Sequence, residues 1–342
     1  MTLLLYLTRN HLAMIAAATL VLGLLGLSLD LLRTTTDLLQ EAGGGSLGVY
    51  ALLRAPVILA SIFPIGVLCG AVLAFRTLAR RSEMVAMRSS GVSTLKVLLL
   101  LGPCALLLGL VHQQLLDRVA PLADDAVRGA FPVSAEAAEV GAVIWGRGPG
   151  WIVTAELGRA DGTLLLAPVI WSLDAAGLVS DVVEAERAEW IDGDWALSPE
   201  PVARGASDAW RGRLTPRTVL TLASAPLATS TATAKEALEG SAVAARGRAF
   251  YETLLAQSYA ALVAPAVLVL LAAMASFDTR RGGAGVARAI VSILAGFAYV
   301  VTSGVLATLS EVGAMHPAAA AAAPAAVFTL IGVWALLVLE ET

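Results

Sequence analysis

Cysteine, lysine and histidine are nearly missing from this chain of 342 residues. Its two cysteines, Cys69 and Cys104, both lie inside apolar runs, which makes them small hydrophobes and leaves no disulfide framework or cysteine metal site. Of 23 basic residues only Lys96 and Lys235 are lysine, no basic tract exists, and the formal charge of −4 is small, so nucleic acid is excluded as a partner. His11, His112 and His316 are too far apart for an H-E-x-x-H or other ligand spacing. Each falls near the end of an apolar run, where a lone histidine is ordinarily an interfacial residue. There is no phosphate-cradling loop ending in Lys-Ser or Lys-Thr, so the chain is not itself a nucleotide-driven motor. A G-x-S-x-G elbow is also missing, as is a G-x-G-x-x-G following a strand pattern. An enzyme would have no residues to stand on.

Apolar residues dominate instead. They make up 58% of the chain against about 45–50% in a soluble domain, and the mean hydropathy is +0.78. Runs of about 20 apolar residues suffice to cross a bilayer. Such runs cover residues 12–32, 49–75, 95–116, 256–277, 286–309 and 317–339. The first exceeds the ~7–15-residue core of a cleavable signal peptide, so it is expected to be a retained span. Pro56 and Pro64 interrupt the second, which spans tolerate because neighbouring helices satisfy the freed carbonyls. From residue 117 to about 248 the chain turns polar, rich in glycine and tryptophan. Three parts follow: spans 1–3 over residues 1–116, an insert over 117–248, and spans 4–6 over 249–342.

Lysine and arginine in short loops mark the cytoplasmic side. Arg76, Arg80, Arg81, Arg88 and Lys96 follow span 2, and Arg280, Arg281 and Arg288 follow span 4, whereas residues 310–316 after span 5 hold neither type. With Arg9, these place both termini in the cytoplasm and the insert outside, in a periplasm if the cell has one. The insert reads as β: Trp151–Leu157 and residues 163–173, 178–183 and 185–191 are short β-branched and aromatic runs between Gly, Asp and Pro turns. Asp192-Gly193 is a two-residue hairpin signal that sets Trp190 opposite Trp195. A sandwich or open jelly roll is expected, and no catalytic or ligand motif stands out in it.

The remaining chemistry is charge at membrane boundaries. Asp30, Arg33 and Asp37 cluster at the outer end of span 1, Arg54 begins span 2, and Glu311 ends span 5. Charges within a span are costly and often functional, although long side chains near helix ends can snorkel to the interface. Arg33 and Arg54, with Asp30 and Asp37 beside them, are the candidates for meeting an anionic headgroup. A sharper feature lies at residues 80–91: Arg80, Arg81, Glu83 and Arg88 form a charged, helix-compatible island between two apolar runs. Ser82 is a reasonable N-cap, Gly91 a stop, and Glu83 and Met87 share a face at i, i+4. An ordinary basic interfacial helix and a docking helix for a soluble motor both fit these residues. Glu83 is unneeded for the first.

The whole chain resembles the LptF/LptG (YjgP/YjgQ) permease family, the membrane subunits of the lipopolysaccharide-exporting ABC transporter. Phe63-Pro64 leads into residues 78–91, which look like the family's coupling-helix motif. Val119-Ala120-Pro121 follows span 3 as in the family, and residues 185–197 are similar to its β-domain signature. Phe277 with Arg280-Arg281-Gly282-Gly283, and the stretch from Pro317 to Pro324, complete the match. The resemblance implies six spans, with a periplasmic all-β jellyroll domain between spans 3 and 4, in the inner membrane of a Gram-negative bacterium. It implies a non-catalytic subunit that binds no cofactor, beside an LptB ATPase dimer that carries ATP-Mg, a paralogous permease (LptF if this chain is LptG-like) and LptC. Lipopolysaccharide would enter between span 1 of one permease and span 5 of the other, then leave upward through the jellyroll domains. Carried onto this chain, Glu83, Met84, Met87 and Arg88 would meet the ATPase, with Leu24 and Leu27 at one gate and Phe297 and Val301 at the other. The LptG side looks slightly closer, from Asp37 and the run Ala42-Gly43-Gly44-Gly45-Ser46. LptG-like proteins carry several basic residues at the outer end of span 1, where this chain has Thr34, Gln40 and Glu41, leaving Arg33 and Arg54 as the nearby cations. Two other readings are a membrane-anchored docking protein whose β domain is the working part, and a four-span permease of the MacB/FtsX kind, which the span layout disfavours.

Overall fold

A computed structural model describes residues 2–41, 46–131, 140–174, 176–198, 214–223, 228–240, 243–276 and 284–341. Six of its helical segments are long and apolar enough to span a membrane. Helix α1 (Thr2–Glu41) is followed by α2 (Ser46–Arg80), the short α3 (Glu83–Ser89) and α4 (Thr94–Gln114). A π turn at Leu115–Val119 joins α4 to α5 (Ala120–Ala130). The third span therefore does not stop at residue 116 but continues as one rod from Thr94 to Ala130. Pro121, which lacks an N–H and crowds the preceding turn, sits just past the widened turn that accommodates it. The last spans are α8 (Arg248–Ala272), α9 (Ala284–Glu311) and α10 (Pro317–Glu341).

The spans divide into a centre and a rim. In α8, 67% of the most apolar stretch is buried inside the chain, against 17% in α1, α9 and α10. The central cluster joins Val67, Leu68 and Phe75 of α2, Leu101 and Cys104 of α4, and Leu268 and Leu271 of α8. Lipid tails are as apolar as leucine, so contact between spans depends on close packing rather than on exclusion of water. Gly66 and Gly70 of α2 supply it: a Cβ on Gly66 would stand 2.9 Å from Thr19 Cα, and one on Gly70 only 2.7 Å from the Ile15 backbone nitrogen.

The insert between the third and fourth spans carries an antiparallel sheet of β1 (Val143–Gly148), β2 (Trp151–Leu157), β3 (Leu164–Leu173), β4 (Val179–Glu184), β5 (Arg187–Ile191) and β6 (Asp194–Ser198). The order is β1-β2-β3-β5-β6, with β4 also on β3. Strand β3 pairs β4 over Val169–Leu173 and β5 over Leu164–Leu166; between these halves lie Pro168 and Ala167, whose φ is 44°. The chain reversal at Asp192-Gly193 has φ of 51° and 89°, the left-handed pair a two-residue hairpin needs. As the sequence implies, Trp190 and Trp195 are cross-strand partners, with ring centroids 5.2 Å apart at 69°. Beside β2, Asp161 accepts hydrogen bonds from the hydroxyl and N–H of Thr163, which hold its carboxyl below the ordinary carboxylate value. That support is complete at neutral pH and is lost only as the pH falls through the lowered value.

Two short helices accompany the strands. Helix α6 (Pro216–Ala223) lays Val219 and the preceding Leu214 over the apolar face of the sheet, and Trp195 Nε1 donates to Leu214 O. Helix α7 (Thr231–Glu239) is capped by Ser230, whose oxygen accepts from Thr233 N, and ends at the left-handed Gly240. Among the described residues the sheet is covered by α6 rather than by a second sheet. Trp195 is 2% exposed, so Trp195→Ala is expected to destabilise the domain by about 3–5 kcal/mol. Val179→Ala, at a site 56% exposed, should cost under about 0.5 kcal/mol. Denaturant unfolding of the detergent-solubilised chain followed by tryptophan fluorescence compares the two.

Candidate functional site

The charged island forms α3, one turn after α2 ends. Ser82 stands at the N-cap position with φ of 60°, yet its side chain makes no capping bond. The negative charge of Glu83 in the first turn complements the helix dipole there. Gly91 closes the helix at φ 83°, and Val92 N donates to Met87 O at 3.0 Å, a left-handed C-terminal cap. Ser93 then caps α4 by accepting from Lys96 N.

Met84 and Met87, which the family pattern had put against the ATPase, are packed into this chain's own bundle. They are 3% and 8% exposed and lie in the central cluster with Leu7, Phe75, Leu78 and Val97. The i, i+3 spacing sets both on one face, and the apolar face of so short a helix has nowhere else to go. What remains outward is Val85 at 47% exposure with Ala86 and Ser89, beside the half-buried Glu83 and Arg88. Glu83 is already engaged: Tyr6 on α1 donates its hydroxyl hydrogen to Glu83 Oε2 at 2.7 Å, and Arg81 Nη1 lies 3.9 Å from Oε1. Sequence spacing could not reveal a bond across 77 residues.

At the far end of α2 the structure brings Asp30 and Arg54 together. Arg54 Nε donates to Asp30 Oδ2 at 3.3 Å, its Nη1 lies 3.6 Å from Asp124 Oδ1, and Arg128 Nε holds Asp124 Oδ2 at 3.0 Å. Tyr50 adds its hydroxyl to Asp30 at 3.1 Å. Arg54 thereby bridges α1, α2 and α5, with its charge facing two aspartates rather than open lipid. Arg33 is exposed on α1, apart from the Arg54, Asp30, Asp124 and Arg128 pairs. The side chain of Asp37 lies outside the described residues, as do residues 42–45 and the Phe277 and Arg280–Gly283 positions. Asp124 was missed by the sequence reading. Its signal was the i, i+4 pair with Arg128 on the Ala120, Asp124, Val127 face that turns inward.

A third polar feature lies inside the bundle. Ser258 of α8 reaches both oxygens of Asp117 at 3.0 and 2.8 Å, and Thr253 pairs with Ser310 at 2.7 Å. Asp117, Thr253 and Ser258, with Gln257 and Glu311, line a cavity of about 230 Å³. Asp117 comes from the π turn, the residue at which the sequence reading had begun the insert. Two histidines also depart from expectation. His11 and His112 are 1% and 6% exposed, packed edge-on against Phe75 and stacked on Phe63 respectively, whereas His316 is exposed. Their rings fill the bundle instead of sitting at its surface. No group of three or more His, Cys, Asp or Glu gathers in metal-binding geometry among the described residues.

The gate candidates fall on two separate outward stripes. Leu24 on α1 is 63% exposed, with Leu27 half-buried beside it, and Phe297 and Val301 on α9 are 52% and 46% exposed. Six spanning helices, an inserted β domain and a short charged helix between the second and third spans define a multi-pass membrane protein of the permease kind. The family model described as lipopolysaccharide export system permease LptF/LptG matches residues 5–338, so the chain belongs to that family. It is 25% identical over 326 residues to the lipopolysaccharide export system permease protein LptG of Escherichia coli strain K12, covering 88% of this chain and 89% of that protein. The LptG protein of Escherichia coli O6:H1 strain CFT073 matches to the same extent.

Proposed function

We propose that this chain is a non-catalytic permease subunit of an ABC transporter that extracts lipopolysaccharide from the outer leaflet of the inner membrane. A separate LptB ATPase dimer, carrying ATP-Mg, drives it from the cytoplasm. An LptF-like paralogue completes the membrane pair, LptC joins it, and the β domain passes the lipid to a periplasmic bridge. The observation that carries this reading is the position of α3. Its outward Glu83, Val85 and Arg88 lie at the start of the 37-residue rod from Thr94 to Ala130, and the β domain follows the other end. At 1.5 Å per residue that separation is about 55 Å, enough to put the two on opposite sides of a membrane. The arginine-rich loops, including Arg80, Arg81 and Arg88, favour the cytoplasm for the α3 side and for both termini.

Glu83→Arg tests the reading. Loss of lipopolysaccharide export in cells and of ATPase co-purification is expected, because a cation would replace the acid that faces the motor. Unchanged export would favour a docking protein whose β domain works alone. Reporter fusions near residues 200 and 282 check orientation, and a cytoplasmic insert would sink the scheme.

A further inference from the structure

We infer that Tyr6 is a positioning residue for Glu83, tying the charged helix α3 to the first span so that the two move together. The inference rests on α3 being the segment on which the motor pushes. Three contacts carry it. Tyr6 donates its hydroxyl hydrogen to Glu83 Oε2 at 2.7 Å. Its neighbour Leu7, fully buried, lies in the same cluster as Met84 and Met87. His11, one turn further along α1, packs edge-on against Phe75 near the end of α2. The start of α1 is thus gripped on both a polar and an apolar side by α3 and the end of α2.

Further along, α1 stays against α2 at Gly70, Gly66 and Arg54, while its opposite face is open. Leu20, Val21, Leu24, Leu25, Leu29 and Leu32 are all more than half exposed. The helix is 40 residues long, about 60 Å at 1.5 Å per residue, so a tilt imposed at Tyr6 is carried to the outer end of the span. Glu83 has capacity for two roles at once. A carboxylate offers about four acceptor sites, and Tyr6 occupies one on Oε2. Among the described residues Oε1 has only Arg81, at 3.9 Å, which leaves it available for a cation on the motor. The tyrosine bond also fixes the rotamer of a half-exposed glutamate, which otherwise would wander before docking.

The experiment uses the reconstituted complex of this chain with its paralogue and ATPase, measuring lipopolysaccharide released per ATP hydrolysed. Tyr6→Phe removes a single oxygen atom and keeps the ring. It is expected to lower release per ATP by about tenfold, the scale of one charge-assisted hydrogen bond, while the ATPase co-purifies in its normal ratio. Adding Glu83→Gln to Tyr6→Phe should cost little more than Glu83→Gln alone, because both remove the same link. Release per ATP within twofold of normal in Tyr6→Phe, or losses that multiply in the double variant, overturns the inference and leaves the transport reading standing. Glu83→Gln with intact ATPase association and export would remove the coupling reading itself, and this inference with it.

Discussion

Gly70→Leu is expected to detach the first span from the second and give a chain that is expressed but unstable. A Cβ at Gly70 would meet backbone: Ile15 N at 2.7 Å and Met14 O at 2.8 Å. Backbone cannot rotate away as a side chain can, so α1 must shift bodily. Over-packing typically costs about 1–3 kcal/mol, and this case belongs at the top of that range or beyond it. Gly102→Leu on α4, where a Cβ would meet nothing within 4 Å, should leave the melting temperature unchanged. Thermal unfolding of the two detergent-solubilised variants makes the comparison. Equal stability would mean that α1 and α2 do not approach as closely as the structure has them.

Arg54→Met should be the second costly change, and it separates two roles for this arginine. Arg54 is the centre of the Asp30, Asp124 and Arg128 network, and its loss leaves Asp30 of α1 and Asp124 of α5 facing one another. Asp124 keeps Arg128 and Asp30 keeps Tyr50, so the expected loss is about 3 kcal/mol, the low end for breaking a buried pair. Adding Asp30→Asn should recover part of it. If Arg54 served chiefly as a phosphate contact, Arg54→Met would weaken lipopolysaccharide binding while the melting temperature held. Arg54→Lys is expected to fall between, because an ammonium lacks the guanidinium fork that reaches both aspartates.

The spans were legible in the sequence because a bilayer imposes a length and a hydrophobicity on each crossing. Strand β2 and the Trp190–Trp195 hairpin were legible for a similar reason. A two-residue turn of Asp192-Gly193 fixes which residues stand opposite. The helices α6 and α7 carried local signals at Pro216 and Ser230 that the β-rich surroundings obscured. Gly66 and Gly70 likewise spell a G-x-x-x-G pattern inside an apolar run. The continuation of the third span was hidden, since residues 117–130 carry enough charge to look like the start of a soluble domain.

By itself the sequence determined the class, six crossings with a β insert, together with the charged island at 80–91 and its stop at Gly91. Period, length and turn chemistry are properties of neighbouring residues, and these features need nothing else. Only the tertiary structure decided which partners several of the charges and methionines meet within the chain. It turned Met84 and Met87 inward, joined Arg54 to Asp30 and Asp124, set Asp117 against Ser258, and brought Tyr6 to Glu83. Those are pairings between helices far apart along the chain, and distance along the chain carries no record of which faces meet.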